Sequence, residues 1–328
     1  MEVFKTPEMP FKPKRIIDYH THLGDIFHEN QNISFKRPGF VADPPGFTGF
    51  DPFKDLEESG YTRPLIVDDV EAQNKLIDAG QVRIWQRANI FTTQAIMDAA
   101  GIDFMGSLPI LPNTSFDEAL AASRLEPRII PFTCCDYGLP IDEMLSKLER
   151  DIALGAKGLK LHPIIQNVPL DDERTIEACR LFGERRLPIT THCGVNDYYK
   201  PDSPHLKKTN LNYGHIDHIL RWLERFPDYI LVPAHGGGCC GGEMEIMAEA
   251  VRAHGWKNVY TDTSHRGVEY ILKAVEFFGE DRVLYATDWP FDTCTCNVKC
   301  HIEALGDNPD LLDKVFYRNS AQLLGMPV

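Results

Sequence analysis

No run of the 328 residues reaches the roughly 18 apolar positions that a membrane-spanning helix needs. The first residues, 1–14, carry prolines and charges but no hydrophobic core of a signal peptide. A cytoplasmic enzyme without a membrane partner is the expectation. Basic residues are scarce: 34 Lys and Arg stand against 48 Asp and Glu, a formal charge of −14. Such a balance argues against nucleic acid or an anionic membrane surface as partner. It does not argue against a small anionic substrate, because a pocket's local field can oppose the net charge. The chain also lacks a glycine-rich loop after its first strand, since Gly24 stands alone there. That speaks against an open, doubly wound nucleotide-binding sheet. Internal repeats and low-complexity segments are absent.

Cysteine is present in an odd number, nine, which favours reduced thiols over a disulfide framework. The Cys294-x-Cys296-x-x-x-Cys300 run lacks the Cys-x-x-Cys spacing of structural zinc sites. Eight of the nine (Cys134, Cys135, Cys193, Cys239, Cys240, Cys294, Cys296 and Cys300, but not Cys179) fall just past expected strand ends. This suggests a thiol-lined mouth with lowered thiol pKa values. The plainer alternative is that cysteine fills tight loops as a small buriable residue.

What the chain does have is a regular alternation of short apolar runs and helical periods. The apolar fraction, 43%, suffices for a large core. Strands are expected at 15–24, 104–110, 128–134, 156–161, 187–192, 229–234, 258–263 and 282–287. Helices are expected at 67–79, 82–100, 116–124, 141–154, 171–186, 216–226, 243–254 and 268–278, with closing helices at about 298–305 and 310–324. Eight βα units of this spacing predict a single α/β domain, a closed (β/α)₈ barrel over 1–328 with 309–328 as its closing segment. Residues 25–63 have no period and carry many Phe, Pro and Gly; a long insertion of this kind is read as a lid over the site.

The first strand, Ile16 to His22, places Ile16, Asp18, His20 and His22 on one face, because strand side chains alternate. Other strands also end in chemistry: Lys160 and His162 on the fourth, His192 on the fifth, His235 on the sixth, Asp288 on the eighth. Catalytic groups of such barrels sit at the C-terminal ends of the strands. Several ionisable groups buried together destabilise a core unless something compensates them. A cation does so, and three imidazoles with one carboxylate suit zinc with a coordination position left for water. The three glycines after His235 would let backbone approach a substrate. Asp18 reads as a structural carboxylate deeper in the barrel. Tyr198 and Arg266, in loops after the fifth and seventh strands, are candidate substrate contacts, alongside Lys160 and His162.

These segments resemble the amidohydrolase superfamily, and more closely its amidohydrolase-related family. The resemblance rests on Ile17-Asp18-Tyr19-His20-Thr21-His22, Gly158-Leu159-Lys160-Leu161-His162-Pro163, Thr191-His192-Cys193-Gly194, Ala234-His235-Gly236-Gly237-Gly238, Ala286-Thr287-Asp288-Trp289-Pro290 and the closing Arg318-Asn319-Ser320-Ala321-Gln322-Leu323-Leu324-Gly325. It implies a mononuclear site with His20, His22, His192 and Asp288 as ligands of Zn²⁺ or another divalent ion such as Mn²⁺. It implies His235 as the catalytic acid/base, with Asp288 beside it. Two ions would be implied if Lys160 were carboxylated and bridging, with His192 and His235 on the second. The fourth-strand segment resembles the hydrolase branch, so hydrolysis of a small carboxylated or cyclic substrate by metal-activated water is the main expectation. Nonoxidative decarboxylation of an aromatic or enoic acid is the alternative, and a non-catalytic metal-binding barrel subunit is the second. The resemblance also suggests a homodimer.

Overall fold

The computed structural model describes residues 13–27, 35–36, 80, 83–84, 86–196, 198–199, 209–238 and 242–328. Most of the expected lid, the helix expected at 67–79, His28, His205, Cys239 and Cys240 lie outside the described residues.

The described chain alternates strand and helix. The strands are β1 (Ile17–Thr21), β2 (Phe104–Ser107), β3 (Ile129–Pro131, resumed at Thr133–Cys134), β4 (Leu159–Leu161), β5 (Ile189–Thr191), β6 (Leu231–Pro233), β7 (Thr261–Asp262) and β8 (Val283–Leu284). The helices are α1 (Ile90–Ala100), α2 (Phe116–Leu125), α3 (Ile141–Ala153), α4 (Glu173–Glu184), α5 (Ile216–Arg225), α6 (Glu243–His254), α7 (Val268–Phe278) and α8 (Cys294–Leu305), then α9 (Pro309–Asp313) and α10 (Asn319–Leu323), joined by a π-helical turn at Lys314–Arg318. Local chemistry explains the boundaries. Asn89 caps α1 by accepting from Phe91 and Thr92, so the helix expected from 82 begins afresh at Ile90. Ser115 and Glu118 form a capping box that starts α2. In α5 the buried Ile216, Ile219, Trp222 and Leu223 recur at helical spacing and face the core.

Every sheet pairing is parallel. β3 changes partner at Phe132: before it the strand pairs with β2, after it with β4. Gly158 makes room for the Phe132 ring, since a Cβ there would lie 2.5 Å from it. β6 reaches the seventh strand through Leu231 and Val259. The barrel closes between β8 and β1. Tyr19 N donates to Tyr285 O at 3.0 Å, Asp288 N to His20 O at 2.9 Å, and His22 N to Trp289 O at 2.7 Å. Thr287 adds its amide and hydroxyl to the fully buried Asp18 carboxylate, at 3.0 and 2.6 Å. Asp18 is thus the structural carboxylate that the strand pattern suggested. The eighth strand meets the first, as a closed (β/α)₈ barrel requires.

Register then sets the level of the site. Leu161, Thr191 and Pro233 are paired across β4, β5 and β6. The residues just beyond them, His162, His192 and then His235, emerge at the same end of the barrel. Among the described residues, no helix is long and apolar enough to cross a membrane.

Candidate metal centre

One pocket collects most of the residues singled out in the sequence. His20, His22, Lys160, His162, His192, Tyr198, His235 and Asp288 all line it. His265 and Asn196 add polar groups, while Ile26, Phe27, Ile165 and Phe291 form an apolar wall.

Two overlapping groups of side chains bring ligand atoms together, sharing Asp288: His20, His22 and Asp288, and His235, His265 and Asp288. What lies behind each ring decides which nitrogen is bare. His20 Nδ1 lies 2.9 Å from Asp262 Oδ2, and His22 Nδ1 lies 2.7 Å from the carbonyl oxygen of Leu108. Both partners only accept, so both Nδ1 atoms carry the proton and both Nε2 atoms present lone pairs. Those lone pairs face the same oxygen: Asp288 Oδ1 is 3.0 Å from His22 Nε2 and 3.7 Å from His20 Nε2. That oxygen is buried and makes no hydrogen bond among the described residues. Two imidazole nitrogens and a carboxylate oxygen converging on one point fit a divalent cation. The other oxygen, Oδ2, is held by His265 Nε2 at 2.9 Å. Lys160 Nζ approaches His20 Nε2 at 2.9 Å.

A second set of imidazoles is organised differently. His162 and His192 stack with ring centroids 4.2 Å apart and planes 4° from parallel. His192 Nδ1 lies 3.2 Å from His235 Nε2, and His192 Nε2 lies 2.9 Å from the Tyr198 hydroxyl. His235 Nδ1 lies 2.8 Å from Ser264 Oγ. The structure therefore groups His192 with His235 and Tyr198, not with the three convergent ligand atoms of His20, His22 and Asp288.

Electrostatics follow from burial and neighbours. Burial pushes His162 and His235 well below the ordinary histidine range, and lowers His192 to about 3 with help from the Lys160 charge. Burial lowers His22 too, against the pull of Asp288. For Asp288 burial acts upward, but His20, His22 and His265 outweigh it and hold the carboxyl well below its usual range. Asp262 is lowered in the same way, against burial, by His20, His235 and Ser264. His265 is raised because its bond to Asp288 outweighs burial.

Three readings from the sequence need correction. Arg266 does not line the pocket. It is buried against the main chain, its guanidinium donating to the carbonyls of His235 and Gly238 and lying over the Tyr270 ring. The glycines after His235 serve protein packing: a Cβ on Gly236 would meet Met244 and Arg266, and one on Gly237 would meet Met247. None of the seven described cysteines lines the pocket, and all are buried thiols outside any disulfide. Burial raises Cys134, Cys179 and Cys300 to about 12, opposite to the lowering that a reactive mouth would require. Cys294 shows why: α8 begins there, four residues earlier than expected, and its sulfur turns toward Thr287 and Asp18.

Asp262, Ser264 and His265 were missed in the sequence. They follow one another at the end of β7, the strand end read only for Arg266. His235, His265 and Asp288, at three successive strand ends, all have positive φ, 60°, 59° and 58°. Such backbone costs about 1–3 kcal/mol per residue and clusters at functional sites.

Comparison with known proteins agrees with this architecture. The amidohydrolase family profile matches residues 17–326. No curated protein sequence matches the chain. Solved structures share the fold. A 5-carboxyvanillate decarboxylase from Novosphingobium aromaticivorans, complexed with manganese and 4-hydroxy-3-methoxy-5-nitrobenzoic acid, superposes with TM-score 0.62 at 18% identity, covering 98% of this chain and 99% of that one. A 2,6-dihydroxybenzoate decarboxylase from Rhizobium gives 0.62 at 16%, covering 95% and 98%. A probable 2-pyrone-4,6-dicarboxylic acid hydrolase from Acinetobacter baumannii gives 0.57 at 12%, covering 95% and 100%. The chain belongs to the amidohydrolase family.

Proposed function

We propose that this member of the amidohydrolase family is a divalent-metal-dependent, nonoxidative decarboxylase of a small aromatic acid. The observation that carries the reading is the pairing of two unlike walls in one pocket. One wall holds His20, His22 and Asp288 with the Lys160 ammonium beside them; the other is Ile26, Phe27, Ile165 and Phe291. A flat ring with a carboxylate at one edge matches both. The decarboxylases among the similar structures support this choice over the hydrolysis expected from the fourth-strand segment.

His20, His22 and Asp288 would hold the ion. His192 is the fourth ligand in this proposal, because a proton on its Nδ1 leaves Nε2 as a lone pair that Tyr198 now occupies. A bound Mn²⁺ or Zn²⁺ supplies positive charge against which a carboxylate or phenolate oxygen can lie. Lys160 supplies a second positive charge for the same edge of the substrate. The apolar wall excludes water from the ring. The reaction converts ArCOO⁻ and H⁺ to ArH and CO₂, so a proton must reach the carbon that loses the carboxylate. His235 moves it at Nε2, taking it from a substrate hydroxyl or from water.

The test is a panel of hydroxy- and methoxybenzoic acids, with a pyrone dicarboxylate as the hydrolase substrate, on Mn²⁺-loaded protein in D₂O and in H₂¹⁸O. Decarboxylation gives one CO₂ per arene, deuterium at the vacated carbon and no ¹⁸O in the arene. Turnover of the pyrone alone, with ¹⁸O in the product, would replace this reading by hydrolysis, which the hydrolase among the similar structures keeps as the second reading.

A further inference from the structure

We infer that Ser264 and Asp262, which do not line the pocket, are positioning residues that fix the proton of His235 on Nδ1 and leave Nε2 bare. Asp262 Oδ1 receives two main-chain amides, from His235 at 3.0 Å and from Ser264 at 3.2 Å. An N–H group only donates, so this oxygen is an acceptor. The Ser264 hydroxyl lies 2.5 Å from the same oxygen and therefore gives it its single proton. Ser264 Oγ then has only lone pairs left for His235 Nδ1 at 2.8 Å, so His235 must donate. His235 Nε2, without a proton, accepts from His192 Nδ1 at 3.2 Å. The same carboxylate takes the Nδ1 proton of His20 on its other oxygen, at 2.9 Å. One buried carboxylate thus orients both a proposed metal ligand and the proposed acid/base, reaching the second through a serine.

The kinetic consequence rests on the role proposed for His235; the proton position does not. Ser264→Ala removes the acceptor yet leaves Asp262 Oδ1 with both main-chain donors, and Ser264→Thr keeps a hydroxyl. The experiment is long-range ¹H–¹⁵N spectroscopy of histidine-labelled, Zn²⁺-loaded protein, with circular dichroism and metal analysis as folding controls. His235 is expected as the Nδ1–H form in the natural chain and in Ser264→Thr, and as the Nε2–H form or a mixture in Ser264→Ala. With a substrate in hand, Ser264→Ala should lower kcat at least about tenfold at unchanged metal content, as a wrong tautomer does in other enzymes. Ser264→Thr should restore it to within about threefold. An Nε2–H His235 in the natural chain overturns the inference, and so does an Ser264→Ala protein whose His235 resonances do not change. Should Ser264→Ala not fold, the natural chain and Ser264→Thr still decide the tautomer. Absence of decarboxylation with the Nδ1–H form observed would overturn only the functional reading.

Discussion

Two halves of the same pocket use the same residue type in opposite ways. On the β1 and β8 side, His20 and His22 are backed by acceptors belonging to the frame, the Asp262 carboxylate and the Leu108 carbonyl. On the β4 to β6 side, His192 and His235 find partners in each other, Tyr198 and Ser264. The first arrangement locks lone pairs onto one point and asks for a cation. The second forms a hydrogen-bonded chain of imidazoles whose rings are kept neutral by burial. Position at a strand end is common to all of them. The group behind the ring decides what each can do.

The comparison breaks most clearly at Asp288. Asp288→Asn should abolish stoichiometric metal retention and with it the metal-dependent turnover, since the carboxylate is the charged member of the ligand set; metal analysis and rates check both. An asparagine variant that keeps its ion would remove the distinction between the halves. Next in size, His235→Asn should keep the ion and lose about 10²–10⁴-fold in kcat, the range of a general acid or base. Loss of the ion would move His235 into the anchored half.

An imidazole outside the pocket gives the baseline. His301 is fully buried, bonded to Thr263 Oγ1 and Asn297 O, and burial lowers it to about 4. The unfolded chain binds this proton from about pH 6.5 downward and the folded one only near 4. Stability from His301 is therefore complete above pH 6.5 and is lost as pH falls toward 4, by about 3 kcal/mol in all. Melting curves between pH 7 and 4 should fall less steeply for His301→Gln than for the natural chain; equal slopes would discount burial as the force keeping these rings neutral. The smallest expected effect is at Asp262→Asn, where an amide replaces one acceptor behind His20. Metal affinity should drop about 10–100-fold, measured by competition with a chelator. Unchanged affinity would mean that the frame behind His20 does not prepare it.

Much of the anchored half was readable because polar residues ended apolar runs, His20 and His22 after Ile16-Ile17 and Asp288 after Val283-Leu284, and His192 of the other half was readable in the same way after Ile189. The β7 contribution was not readable for a physical reason. That strand is only Thr261–Asp262, its flanks Thr263 and Ser264 are polar, and no hydrophobic run marks where it stops. The aim of His265 depends on a left-handed backbone that no side-chain pattern announces. Direction was equally hidden for the cysteines, whose place past strand ends was visible but whose turn into the core was not. The hydrolase leaning came from one short segment around Lys160, and the residues that shape the apolar wall are scattered from Ile26 to Phe291.

Closure of the barrel has a consequence for the order of events at the ribosome. Two proposed ligands stand on β1, and the carboxylate that completes them follows β8, 266 positions later (288 − 22). At about 5–20 residues per second, on the order of ten to fifty seconds separate their synthesis. Throughout that interval the two histidines lack Asp288, and for all but its last 26 residues (288 − 262) they also lack the Asp262 that fixes the proton of His20. A nascent chain stalled before residue 288 should therefore bind Zn²⁺ or Mn²⁺ no better than any exposed histidine pair, and ion capture belongs to the released, closed barrel.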